Sequence, residues 1–265
     1  MLQALFKNKL DHAIQDGRFK GIEDTLTSSV IGLLQYLPDD LCWEILRGSC
    51  GVSAEILPES IGEIRSVHFW ERLGAKGTHN TLSVEPDVWI ETDEYDVIIE
   101  AKKSDSAAEN AQYHSQWFNE IVALKNSCEG KEEKNLIFLA IGGNNTLRDQ
   151  EINIKGNTQV IHTGSWFDLL GEVLHLRERI GRERSYGENV LRILDDVVNS
   201  MQYHNIVHTI WLDSLQTVMI KPDSLAIISK DWTFKDRAFL NGILENRSKQ
   251  AIYSLSGIWE VKWKP

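Results

Sequence analysis

The stretch Ser83–Lys103, SVEPDVWIETDEYDVIIEAKK, decides how the rest of the chain is read. Two apolar runs, Val88-Trp89-Ile90 and Val97-Ile98-Ile99, flank the polar Glu91 to Asp96, the pattern of two buried strands joined by a short turn. A turn centred between Asp93 and Glu94 sets Asp87 opposite Glu100. Opposed residues of an antiparallel pair share a face, with Cβ atoms about 4.5–5.5 Å apart. The two-residue strand period adds Lys102 to that face. Two carboxylates and an ammonium therefore converge at one end of an apolar hairpin. Core packing gives no reason for this, because carboxylates so close raise each other's pKa and repel unless a cation lies between them. A plain hairpin with charged ends does not explain why the charges share one face. A divalent ion does: Mg²⁺ takes oxygen ligands, usually one or two carboxylates with water and substrate phosphate. Without the ion, Asp87→Asn or Glu100→Gln is expected to be neutral or stabilising, since each relieves repulsion.

Pro86-Asp87 followed, after an intervening stretch, by Glu100-Ala101-Lys102 resembles the PD-(D/E)xK superfamily of nucleases, the restriction-endonuclease-like group. The resemblance implies an α/β fold, a central mixed sheet flanked by helices, here with a C-terminal α+β extension. It implies that Asp87 and Glu100 bind Mg²⁺, with Mn²⁺ as a substitute, and that Lys102 activates the attacking water or offsets charge on the phosphate. In that family the helix before the sheet often supplies a third carboxylate, and Glu23 looks like that residue. The bland account of Glu23 is a carboxylate favoured by a helix N-terminus; Glu44, Glu55, Glu63 and Glu71 are the other upstream acids. The family also often carries a Gln on the helix after the Glu-x-Lys strand, which points to Gln116 and less to Gln112. Gln112, Gln116 and Glu120 form an i, i+4, i+8 row that otherwise reads as a solvated face.

The function implied is Mg²⁺-dependent hydrolysis of phosphodiester bonds, DNA first, in defence against foreign DNA or in repair. The alternative is a nucleic-acid-binding or scaffold protein that keeps the nuclease fold without turnover. A glycosidase-like carboxyl pair is disfavoured, because Lys102 would hold Glu100 ionised where that mechanism wants one carboxyl protonated. Expected partners are nucleic acid and a second copy in a homodimer, with no membrane.

Composition sets outer bounds. Hydrophobic residues at 42% and charged ones at 25% describe an ordinary globular chain. The net charge of −11 argues against broad coating of nucleic acid, though an acidic metal site itself adds negative charge. From Arg177 onward 13 Lys and Arg stand against 11 Asp and Glu, leaving 15 against 28 for the rest, so the acidity belongs to the first two thirds. Cys42, Cys50 and Cys128 have neither metal-ligand spacing nor an even count, and inert thiols are expected. No apolar run approaches the roughly 20 residues of a membrane span. The opening MLQALFKNKLDHAIQDG lacks a secretory pattern, so a cytoplasmic location is expected.

In chain order, the apolar spacing predicts a helix over Leu2 to Ile14 and another carrying Ile22, Leu26, Val30, Leu33 and Leu37 on one stripe, ended by Pro38. Asp39 to Arg47 follows as a short helix and Gly48 to Gly62 as loop. Glu63 to Leu73 is expected as the first strand, Ala107 to Lys125 as the helix after the hairpin and Asn135 to Ile141 as the next strand. Gly142-Gly143-Asn144-Asn145 lacks the Gly-Lys-Ser/Thr ending of a P-loop and reads as a turn. A short strand at Gln159 to His162, a helix from Trp166 and an amphipathic helix over Asn189 to Met201 complete the reading, with mixed helix and strand beyond. A nuclease-like core is assigned to residues 1–176 and an extension or cap to 177–265. Arg177, Arg179, Arg182 and Arg184, close together at that boundary, are candidate nucleic-acid contacts, with a solvated helix face as the plainer account.

Overall fold

The computed structural model describes residues 23–207 except 129, 131, 133, 145, 147 and 155. Helices α1 (Glu23–Leu34) and α2 (Asp39–Gly48) lead, through a 3₁₀ turn (Gly51–Glu55), to strand β1 (Ile64–Phe69). Strands β2 (Leu73–Gly74), β3 (Ser83–Val84), β4 (Val88–Thr92) and β5 (Tyr95–Ala101) precede α3 (His114–Ser127). Strands β6 (Asn135–Ile141), β7 (Gln150–Ile154) and β8 (Asn157–Gly164) then lead to α4 (Trp166–Glu183) and α5 (Glu188–Tyr203). The fold is α/β: a mixed six-stranded sheet in the order β1-β4-β5-β6-β8-β7, flanked by helices, with β2 and β3 as a separate pair. β4 and β5 are antiparallel, and β5, β6 and β8 are parallel.

The period-2 pattern of the central strands explains the layers. Val88, Ile90, Val97, Ile99 and Ala101 join one core with residues of α1, α2, α4 and α5, whereas Trp89, Ile98, Phe138 and Ala140 join a second with Trp117, Ile121 and Leu124 of α3. Covered on both faces, β5 and β6 read as continuous apolar runs. The expected hairpin register holds, with Val88 paired to Ile99, Trp89 to Ile98 and Ile90 to Val97.

Other expectations shift. The first strand stops at Phe69 because Trp70 turns into the left-handed region at φ 47°; Leu73–Gly74 then pairs with Ser83–Val84 instead. The helix expected from Ala107 begins only at His114, since residues 105–112 are held as a loop by the strand ends around them. The strand at Gln159 to His162 is longer than expected and pairs with β7, a strand absent from the sequence-based expectations. β7 alternates exposed and buried positions on an edge and has only Ile152 and Ile154 to signal it.

The described residues 23–207 fall within one compact unit. Helix α4 runs unbroken across residues 176 and 177, and Ile180, Val190, Leu194, Val197 and Met201 join the same core as the sheet. The boundary expected at 176/177 therefore falls inside a helix. The helix expected over Leu2 to Ile14 and the elements expected beyond residue 207 lie outside the described residues. No described helix is long and apolar enough to cross a membrane.

The turn after β6 packs directly beneath Lys102. Gly142 and Gly143 have φ 73° and 63°, Gly143 N–H donates to Ser104 O at 2.7 Å, and Gln112 N–H donates to Gly143 O at 3.0 Å. A Cβ on Gly143 would lie 2.8 Å from Lys102 Cγ. Gly143→Ala should cost at least ~1–2 kcal/mol from the left-handed conformation alone, with the clash added, read as a lower urea midpoint. An unchanged midpoint would show that the turn does not support Lys102 as described.

Candidate metal centre

Asp87 and Glu100 meet because the β4–β5 register sets them opposite one another just past the last paired residues. Each carboxylate is held. Asp87 Oδ2 accepts from the Ala101 N–H at 2.9 Å and Oδ1 from Trp70 Nε1 at 3.0 Å. The left-handed turn at Trp70 aims that indole, and Trp70 N–H also donates to Asp87 O at 3.1 Å. Glu100 Oε1 accepts from Gln116 Nε2 at 2.7 Å and from the Lys102 ammonium. Glu23, at the start of α1, reaches the same place: Oε2 accepts from the Lys103 N–H at 3.1 Å and from Asn110 Nδ2 at 2.5 Å, and Oε1 lies 3.6 Å from Lys102 Nζ.

Glu23, Asp87 and Glu100 each place a carboxylate oxygen within 4.8 Å of the other two. They are the trio expected from the sequence, and Glu23 takes up more than a helix-dipole role. The other upstream acids are not part of this cluster; Glu44 forms a bidentate pair with Arg179 at 2.8 and 2.7 Å, and Glu63 pairs with Arg65 at 3.0 Å. Gln116 touches Glu100 directly, while Gln112 serves the frame: its Nε2 donates to Glu100 O and Gly142 O, and its Oε1 accepts from Trp117 Nε1.

The charges are buried as well as crowded. Glu100 is 1% exposed and Asp87 8%. Burial drives both carboxyls well above the usual range; Glu100 adds to the effect on Asp87, and Glu120 to the effect on Glu100. Burial alone would lower the Lys102 pKa, but Glu100, Glu23 and Asp87 outweigh it and the net shift is upward, so the ammonium keeps its proton. Glu120, 1% exposed on α3, is a fourth carboxyl, one that the sequence alone places in a polar row. Burial pushes it up to about 8, with Asp87 adding and the adjoining Glu100, Lys102 and Gln116 side chains opposing. The row Gln112-Gln116-Glu120 was the available signal, and it faces the sheet end. Trp70 and Asn110 carried no signal, since an indole and an amide become site residues only through the turns that aim them.

The residues fit a divalent ion. Glu100 Oε2 is buried and has no hydrogen-bond partner among the described residues, as a ligand oxygen would be before its ion arrives. Octahedral Mg²⁺ with oxygens at about 2.1 Å separates them by about 3–4 Å, so the cluster needs only small side-chain shifts to close on one ion. The pattern of bonds also corrects one expectation. An amide at position 87 would turn its NH₂ toward either the Trp70 or the Ala101 donor, leaving a buried donor unpaired at ~1–3 kcal/mol, so Asp87→Asn is not neutral. At Glu100 the amide oxygen can keep Lys102 and Gln116 while the NH₂ takes the Oε2 position, beside the adjoining Glu120 carboxyl that can accept from it.

The arginine cluster is elsewhere. Arg177 pairs with Asp195, Arg179 with Glu44 and Arg182 with Glu178, and Arg184 ends α4 at φ 52°. At about 1.5 Å per helical residue, Arg177 lies ~16 Å along α4 from Trp166, which touches the centre.

No family model matches the chain, and no solved structure matches it. Among curated proteins it is similar to the uncharacterized protein PM0110 of Pasteurella multocida (strain Pm70), 26% identical over 238 residues, covering 82% of this chain and 84% of that protein.

The burial of Glu120 has a pH signature. Its folded pKa of about 8 exceeds the ordinary value of 4.5, so the folded state binds the proton more tightly. The resulting stability is fully present below about 4.5 and is lost as pH rises through about 8. In EDTA the wild-type melting temperature should fall between pH 5 and pH 8, with Asp87 and Glu100 contributing in the same direction. Glu120→Gln should flatten that slope; identical slopes in the two proteins would overturn the assignment.

Proposed function

We propose that this chain is a Mg²⁺-dependent nuclease of the PD-(D/E)xK, restriction-endonuclease-like type that hydrolyses phosphodiester bonds in DNA, in defence or repair. The observation that carries the reading is the convergence of Glu23, Asp87 and Glu100 within 4.8 Å, with the Lys102 ammonium against Glu100 and Glu23. Structural acids do not need this arrangement, and a polyanionic substrate does not tolerate it without a cation to bridge the charges.

Glu23, Asp87 and Glu100 would hold the ion. When bound, Mg²⁺ supplies Lewis-acid polarisation of phosphoryl oxygen and lowers the pKa of bound water. The chain's own groups do the rest. Lys102, kept protonated by its three acidic neighbours, donates to phosphoryl oxygen and offsets charge as it grows; it does not accept the proton of the attacking water. Gln116 fixes Glu100 Oε1 and leaves Oε2 as the oxygen to offer. Trp70 and the Ala101 N–H orient Asp87 in the same way.

Mn²⁺ at a hundred times its dissociation constant should stabilise the wild type by ~2.7 kcal/mol, since it binds only the folded chain, and raise the melting temperature. Glu100→Gln should raise the melting temperature in EDTA and lose the Mn²⁺ response; a mutant that keeps the full response would sink the metal assignment. Lys102→Ala should keep a Mn²⁺ response while cleavage of DNA falls on the order of 10² or more, as for loss of other groups that stabilise transition-state charge. Glu23→Gln should fold normally with a weakened Mn²⁺ response and reduced cleavage. Full cleavage by Lys102→Ala would rule out charge stabilisation by its ammonium and end this mechanism.

A further inference from the structure

A cavity of about 350 Å³ opens beside the centre, between the Asn80–Glu85 segment and the first turns of α3. It shares two walls with the acidic cluster. Gln116 lines it while donating to Glu100 Oε1, and Glu120 lines it while its Oε2, buried, has no hydrogen-bond partner among the described residues. Tyr113, Ser115 and Asn119 also line the α3 side, and Asn80, Val84 and Glu85 the other.

The chemistry of this lining excludes a phosphate. Two carboxyl groups face the space, one of them, Glu85, paired with Arg72 at 2.8 Å, and neither Lys nor Arg is among the described lining residues. What the walls offer is acceptor oxygen beside an aromatic ring. Tyr113 is 59% exposed and stands at the N-cap of α3 with extended backbone, φ −129° and ψ 125°, making no capping bond with its side chain. Short polar side chains are the favoured occupants of that position, so helix formation does not account for a tyrosine there. A ring exposed at a cavity mouth, acceptors within and phosphate chemistry next door together describe a seat for a neutral, planar, donor-bearing group.

We propose that the cavity receives the base of one unpaired nucleotide next to the scissile phosphate, with Tyr113 as the stacking platform and Glu120 and Gln116 reading an exocyclic amino group. Stacking on an aromatic side chain is sequence-tolerant, because every base has a π-face. The acceptor oxygen supplies the preference: Glu, with or without its proton, offers an oxygen that accepts from the cytosine N4 amino group, and thymine presents a carbonyl at the same place. A volume of this size is at the small end of ligand sites and takes one base, not a pair. The base must therefore be single-stranded or turned out of a duplex, as in enzymes that work on extruded nucleotides. This inference deepens the nuclease reading and rests on it for the identity of the ligand.

Base binding and catalysis can be tested apart. Binding of deoxycytidine and thymidine to the full chain is measured in EDTA by saturation-transfer NMR, so that no metal or turnover is needed. Deoxycytidine should bind at least about tenfold more tightly than thymidine, in line with ~1–3 kcal/mol for a well-made base contact. Tyr113→Ala should lose binding at an unchanged melting temperature, and Tyr113→Phe should keep it. No binding, equal binding of the two nucleosides, or full binding by Tyr113→Ala overturns the base seat even when Mn²⁺ stabilises the protein and DNA is cut. Selective binding that depends on Tyr113, with no Mn²⁺ response and no cleavage, upholds the seat and overturns the nuclease reading instead.

Discussion

Taking a carboxylate out of water costs several kcal/mol unless its charge is offset. At the end of β5 the fold does this three times, at Asp87, Glu100 and Glu120, and brings a fourth carboxylate, Glu23, to the edge of the same space. Only one ammonium, Lys102, is in contact with the group among the described residues. Protons or a cation must make up the difference. Much of the surrounding structure is a means of tolerating that imbalance: an indole and a backbone N–H on Asp87, an amide on Glu100, and a backbone N–H with a second amide on Glu23.

The imbalance is tolerable because the backbone beneath it is fixed from several sides. Lys102 N–H donates to Ile141 O at 2.8 Å, extending the β5–β6 ladder by one residue, and Lys102 O accepts from Trp166 Nε1 at 2.6 Å. Trp166 is itself anchored, since Asp105 accepts from the N–H groups of Trp166 and Phe167 at 2.7 and 3.1 Å and Ser165 caps α4 through Asp168 N–H. The loop that follows β5 thus grips the helix that grips β5. Repulsion among the acids then acts on side chains whose backbone has nowhere to move.

What the sequence carried and what it withheld follow the range of the interactions. Asp87, Glu100 and Lys102 were legible together because a hairpin is local: its register follows from a short turn and its facing from a two-residue period. Gln116 and Glu23 were legible only through resemblance, since nothing in a linear pattern says that a helix end lands on a strand end. Glu120 stood in view as the third member of a row on α3, and its meaning waited on knowing that the row meets β5 and not solvent. The end of β1 at Trp70 was not legible at all, because a left-handed tryptophan is stabilised by Asp87 O and Oδ1 across the sheet, contacts that no local preference encodes. The boundary at residue 176 was drawn where the resemblance ends, and the charged helix surface there gives no sign that its other face holds Ile180 in the core.

Two of the three acids take their main-chain hydrogen bonds from the same short segment. Ala101 N–H goes to Asp87 and Lys103 N–H to Glu23, while Glu100, the third acid, immediately precedes Ala101. Successive N–H groups on one side of a strand are about 6.6 Å apart, so the end of β5 acts as a ruler against which carboxylates from distant parts of the chain are set. Tolerance to sequence drift is then uneven. Changes that tilt α1 displace Glu23 alone, whereas the spacing of Asp87 and Glu100 answers only to the β4–β5 pairing. A lineage of this fold can lose or exchange its helical acid while the strand pair keeps its measure.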